Sequence, residues 1–194
     1  MYTTRVIEYR IVNEPSNKYI FGLLNSTKNK SYMSNINVGD KAPDFTLLSF
    51  SHTEQPVEYT LSSFAGKENV VLLFFPMAYT GVCTEEMCTI SDSFSDFENV
   101  GAKIFGISTD GTFVQKAFAT DKGIKFPLLS DYNKEVIKKY DVVQELFAHG
   151  LKNTSQRAVF LIGKDGLVKY KEVTENPGVQ VNFDKLKEAA KNLG

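Results

Sequence analysis

A cysteine three residues after a threonine and seven after a proline is an arrangement that can carry redox chemistry on sulfur. It occurs in the run Pro76-Met77-Ala78-Tyr79-Thr80-Gly81-Val82-Cys83-Thr84-Glu85-Glu86-Met87-Cys88. An apolar stretch before this run and a helical spacing after it put Cys83 in the first turn of a helix. Unpaired backbone N–H groups and the helix dipole favour an anion there, so the thiolate gains over the thiol. The thiolate is the form that attacks an O–O bond. Thr80 is placed to set a hydroxyl beside the sulfur, directed at the thiolate or at a peroxide oxygen. Pro76 stiffens the backbone and shields the sulfur from water. A cation over the sulfur would complete such a site. The arginines are Arg5, Arg10 and Arg157. The first two lie in an unpatterned stretch, whereas Arg157 stands directly before an expected core strand, and it is the candidate.

The elements that must hold these residues follow from residue 34 onward. Val70-Val71-Leu72-Leu73-Phe74-Phe75 is a continuous apolar run stopped by Pro76, as expected of a central strand buried on both faces. Met87, Ile90, Phe94 and Phe97 are spaced by three, four and three, which predicts one helix carrying all four on its inner face. Strands are expected over Asp44–Leu48 and Ala102–Ile107, with a short extended piece at Phe126–Ser130. Helices are expected from near Thr112, with Val114, Ala117 and Phe118 on one face, then around Lys134–Tyr140 and over Phe183–Leu193. Ala158–Ile162 and Leu167–Tyr170 flank Lys164-Asp165-Gly166, a hairpin signal. Strands alternating with helices, then a hairpin and a last helix, give an α/β domain with a central mixed sheet flanked by helices.

Residues 1–33 are read as an N-terminal extension, flexible at its end, and 34–194 as the folded domain. Within 1–32 the charge is +3, leaving −4 on the remainder of a chain whose net charge is −1. That balance gives no general pull toward nucleic acid or a membrane surface. No run reaches the roughly 18 apolar residues of a membrane span. Two cysteines make no disulfide scaffold, and no secretory signal is evident, so a reducing, cytoplasmic setting is expected. A transit peptide is the rival reading of the extension, weakened by Glu8 and Glu14. A zinc site would need four suitably spaced ligands, and His52 and His149 lie far from the cysteines in sequence. Cys-x-x-Cys, the spacing of a disulfide oxidoreductase, is absent, since four residues separate Cys83 from Cys88.

The order Pro76-x-x-x-Thr80-x-x-Cys83 with a distant Arg157 before a strand resembles the active-site signature of the peroxiredoxin family. Val38-Gly39-Asp40-Lys41-Ala42-Pro43-Asp44-Phe45 resembles the opening of that fold, and Phe126-Pro127-Leu128-Leu129-Ser130-Asp131 a later part of it. The resemblance covers about residues 36–190. It is strongest to the alkyl hydroperoxide reductase E and bacterioferritin-comigratory groups. It implies a thioredoxin-like fold and a thiol-dependent peroxidase that reduces hydrogen peroxide and alkyl hydroperoxides. In such an enzyme Cys83 would become a sulfenic acid, restored by thioredoxin, a glutaredoxin-like protein or another thiol. No metal, haem or flavin is implied, and a homodimer is common in the family. Glu86 matches a position that often helps fix the arginine; by itself it reads equally as an acid stabilising the first helical turn.

Two roles stay open for Cys88. On a helical wheel Cys83 shares the inner stripe, whereas Cys88 falls about 140° from its middle. Five residues of helix rise roughly 7.5 Å, beyond the usual Cα separation of a disulfide, about 4.4–6.8 Å. A Cys83–Cys88 bond therefore requires the first turns to unwind, behaviour known in the bacterioferritin-comigratory group. Cys88 is either the resolving thiol or a spare one. Oxidation of Cys83 as a signal without turnover uses the same first step, and a supplied thiol reductant separates the two.

Overall fold

A computed structural model describes residues 36–193. The extension proposed over 1–33, with Arg5 and Arg10, lies outside the described residues. The order along the chain is β1 (Thr46–Ser49), β2 (Val57–Thr60), β3 (Asn69–Phe74), α1 (Gly81–Asp92), α2 (Phe94–Asn99), β4 (Ala102–Ser108), α3 (Thr112–Lys122), β5 (Leu128–Ser130), α4 (Val136–Lys139), β6 (Val143–Leu146), β7 (Lys152–Ser155), β8 (Ala158–Ile162), β9 (Val168–Val173) and α5 (Phe183–Lys191). Seven strands form one mixed sheet in the order β2-β1-β5-β4-β3-β8-β9, and β6 pairs with β7 in a separate hairpin.

β3 is fully buried along its length, which explains its unbroken apolar sequence. It runs parallel to β4 and antiparallel to β8. The parallel step is bridged by α1 and α2, as a βαβ crossover demands. Alternation along β3 divides the core in two. Val71 and Leu73 pack with Met87 and Ile90 of α1, Phe97 of α2, Phe118 of α3 and Leu186 of α5. Val70, Leu72 and Phe74 pack on the other face with Phe160, Tyr140 and Val136 and Ile137 of α4. Asp131 fixes the start of α4, its carboxylate accepting from the N–H groups of Glu135, Val136 and Ile137.

Two expectations need correction. The single helix through Met87, Ile90, Phe94 and Phe97 is broken at Ser93, whose φ of −94° and ψ of 10° end α1 before α2 begins. Serine competes for backbone hydrogen bonds and tolerates such a break, and Lys187 Nζ donates to its hydroxyl at 2.9 Å. On α3 the buried face is Gln115, Phe118 and Ala119, while Val114 and Ala117 are exposed. The Gln115 amide turns inward to donate to Ser108 Oγ at 3.0 Å and Leu129 O at 2.9 Å, rotating the helix away from its apolar pattern. β2 and the β6–β7 hairpin are further elements that the hydrophobic pattern does not mark. Their strands are largely exposed or half-buried.

Candidate active site

The site forms where β3 ends and α1 starts. After Phe75, whose N–H still donates to Ile107 O, buried Pro76 turns the chain out of the sheet. Thr80 is the N-cap of α1, with φ −82° and ψ 152°. Its carbonyl accepts from Thr84 N at 2.9 Å and from Thr84 Oγ1 at 2.8 Å. Cys83 is the third residue of α1, in the turn whose N–H groups lack helical partners. Its side chain is wholly buried and its thiol is free.

Arg157 comes to this point through strand register. Ala158 pairs with Phe74 in the antiparallel ladder of β3 and β8, so the residue before β8 lies beside the residues that follow β3. Its guanidinium is buried, and Arg157 Nη2 donates to Cys83 Sγ at 3.3 Å. Nη1 donates to Glu86 Oε2 in a buried ion pair. Nε and Nη2 donate to the carbonyl of Pro177, at 3.2 and 2.8 Å. Cys83 and Glu86 stand three apart on α1, hence on one face, and a single planar fork reaches both. Cys83 and Arg157 therefore meet at one corner, and Pro76 and Thr80 belong to the loop and cap that lead into it. Glu86, expected only as a supporting residue, joins them through the ion pair.

One placement differs in detail from expectation. The Thr80 hydroxyl donates to Met77 O at 3.1 Å, so its proton is directed at the loop rather than at the sulfur. Cys88 is half-buried and free, and α1 is continuous from Gly81 to Asp92. Glu86, with its ties to Arg157 and Val181 N–H, lies between the two cysteines in α1. Nothing in the sequence marks the Pro177 carbonyl or Val181 N–H, which donates to Glu86 Oε1 at 3.4 Å. Both belong to the segment joining β9 to α5, and backbone groups carry no residue-type signature.

Burial pushes the Glu86 carboxyl up to about 7, against the opposing pull of the Arg157 guanidinium and the Val181 hydrogen bond. The folded carboxyl thus holds its proton more tightly than an unfolded one, near 4.5. Its contribution to stability is complete below that value and is lost as pH rises through about 7. Relative to Glu86→Gln, the protein should lose roughly 3 kcal/mol of unfolding free energy between pH 4.5 and 8. Urea midpoints of both proteins across that range measure it, and parallel curves would refute it.

Among the described residues no three of His, Cys, Asp or Glu gather to hold a metal ion, and no helix is long and apolar enough to cross a membrane. Residues 38–171 match the AhpC/TSA family. Alkyl hydroperoxide reductase E of Mycobacterium tuberculosis is 37% identical over 145 residues, covering 74% of this chain and 88% of the relative. The crystal structure of peroxidoxin BcpB from Mycobacterium tuberculosis superposes with a TM-score of 0.69 at 29% identity, over 82% of this chain and 99% of that one. Reduced 2-Cys peroxiredoxin of Plasmodium vivax gives 0.70 at 29% identity, over 79% of each chain. The mixed sheet flanked by helices is thus the thioredoxin-like fold of these enzymes. With this match over most of its length, the chain belongs to the AhpC/TSA family and is a thiol-dependent peroxidase of the peroxiredoxin kind.

Proposed function

We propose that Cys83 is the sulfur that attacks the peroxide, with hydrogen peroxide and alkyl hydroperoxides as substrates. The observation that carries this is the Arg157 Nη2 contact with Cys83 Sγ at 3.3 Å inside a buried corner. The thiolate donates an electron pair to one peroxide oxygen, forming S–O as O–O breaks, and the departing oxygen takes a proton and leaves as water or alcohol. Cys83 becomes a sulfenic acid, oxidised by two electrons. Arg157 offsets charge as it moves from sulfur to the leaving oxygen. The Thr80 oxygen, its own proton on Met77 O, accepts a hydrogen bond from the incoming peroxide O–H. Pro76 closes the sulfur from bulk water.

Cys88 then resolves the sulfenic acid. The first turns of α1 open, a sulfur–sulfur bond forms and water leaves. Thioredoxin or a glutaredoxin-like protein supplies the two electrons that reduce the disulfide. The oxidising equivalents pass through cysteine alone, without metal or bound cofactor. The setting is cytoplasmic. A homodimer fits the large apolar side chains left exposed at Tyr79, Phe113 and Tyr132.

The test is the intact mass of reduced protein after one equivalent of hydrogen peroxide, with and without a sulfenic-acid trap. A loss of about two mass units, absent in Cys88→Ser, is expected from the internal disulfide. A gain of about sixteen, trapped on Cys83, would remove Cys88 from the cycle and leave Cys83 in it. An unchanged mass would overturn both assignments.

A further inference from the structure

The loop between β3 and α1 is held by a carboxylate that lies outside the set of Cys83, Arg157 and Glu86. Ala78 N–H, at the centre of the loop, donates to Asp110 Oδ2 at 2.8 Å. Asp110 lies just beyond β4 and is itself tied to two strands and, through Ser108, to α3. Ser108 Oγ, at the end of β4, donates to the same oxygen at 2.8 Å, and Asp110 N–H returns a bond to Ser108 Oγ at 3.3 Å. Ser130 Oγ, at the end of β5, donates to Asp110 O at 2.7 Å. Gln115 Nε2 of α3 donates to Ser108 Oγ at 3.0 Å and to Leu129 O at 2.9 Å.

What this network holds is a loop under strain. Tyr79, between Ala78 and the N-cap Thr80, has φ +62°, a left-handed backbone that a residue with a Cβ rarely adopts. Among the described residues, this loop is further tied by the Thr80 hydroxyl bond to Met77 O at 3.1 Å and by the edge contact of the Tyr79 ring with Phe118, at 5.0 Å between centroids. Released, Tyr79 would relax to negative φ and carry the adjoining Thr80 with it. The start of α1 would shift relative to Arg157, which is held just before β8 by the Pro177 carbonyl and by Glu86 further along α1, so the displacement would fall on the turn between Thr80 and Glu86.

We propose that Asp110 is a positioning residue of the peroxide site, holding Ala78 so that Thr80 and the first turn of α1 stay in register with Arg157. It acts through the loop and touches neither the sulfur nor the guanidinium. This role rests on Cys83 being the reacting sulfur.

Two rates on the reduced protein separate positioning from a general structural role. One is the second-order oxidation of Cys83 by hydrogen peroxide. The other is alkylation of Cys83 by iodoacetamide, read by peptide mass, which needs the thiolate but no aligned O–O bond. In Asp110→Ala the peroxide rate should fall about 30- to 100-fold, while alkylation changes by less than about threefold. Asp110→Asn keeps an oxygen that can accept from Ala78 N–H, so it should recover to within about fivefold of the unaltered protein. The role is overturned if Asp110→Ala leaves the peroxide rate within about threefold, if both rates fall together, or if Asn does no better than Ala. Should Asp110→Ala not fold, Ser108→Ala carries the test. It frees the carboxylate on one side and should slow peroxide about fivefold with alkylation unmoved, and an unmoved peroxide rate overturns the role. If Cys83 of the unaltered protein is not oxidised, its assignment fails and this role fails with it. If it is oxidised and Asp110→Ala behaves the same, only this role fails.

Discussion

Cys83→Ser is expected to abolish peroxide turnover, lowering it by more than about 10⁴-fold, while the protein stays folded. A serine hydroxyl remains protonated at neutral pH and offers no anion to attack the O–O bond. The site nevertheless accommodates it. Serine is slightly smaller than cysteine, and Arg157 Nη2, now 3.3 Å from the sulfur, can donate to its oxygen instead. The stability cost should therefore stay within about 1–2 kcal/mol. Cys88 is not expected to take over. It is the eighth residue of α1, beyond the turn with free N–H groups, and five residues further along the helix than the sulfur that Arg157 meets. Peroxide consumption with thioredoxin and its reductase measures the effect. Turnover retained in a folded Cys83→Ser protein would remove this cysteine from the mechanism.

The ease of reading Cys83 in the sequence has a local cause. The strand that ends at Phe74 and the helix that opens at Gly81 are its neighbours in the chain, so one stretch records both the proposed nucleophile and its setting. Arg157 is 74 positions away, and only its place before an apolar strand, together with the shortage of arginines, marked it. The reason it reaches the sulfur, the antiparallel register of Phe74 with Ala158, is a tertiary fact. Glu86 was ambiguous because a carboxylate in a first turn has a sufficient local explanation. Its burial under the β9–α5 segment decides for the ion pair.

The misreadings have the same origin. Apolar spacing continues through Ser93, so nothing in the period announces the break between α1 and α2. Gln115 is buried by hydrogen bonds to Ser108 and Leu129, and a pattern built on apolar residues turns α3 the wrong way. Asp110 looks like an ordinary turn residue before Gly111. Only the distance to Ala78 N–H sets it apart. Sequence thus marked the cysteine and arginine that the fold brings into contact and most of the main sheet, while the supports that depend on backbone carbonyls, N–H groups and buried amides required the fold.

Arg157→Ala should damage both rate and stability, and the two losses should separate. The peroxide rate is expected to fall about 10²- to 10³-fold, because the leaving oxygen loses its buried cation. Stability is expected to fall by about 3–5 kcal/mol, since Glu86 is left buried without its partner. That carboxyl is already pushed up to about 7 with the arginine present. Without it the group should rise further and take up a proton rather than stay charged alone. The destabilisation should accordingly be greater at pH 8 than at pH 5.5. Adding Glu86→Gln removes the stranded acid, so the double variant should regain much of the stability and lose the excess pH dependence. It should regain none of the rate, because no cation faces the sulfur. Urea denaturation at both pH values and single-turnover oxidation of Cys83 provide the two readouts. If Glu86→Gln restored the rate as well, the effect of Arg157 would be that of a structural partner to Glu86, and its role over the sulfur would have to be abandoned.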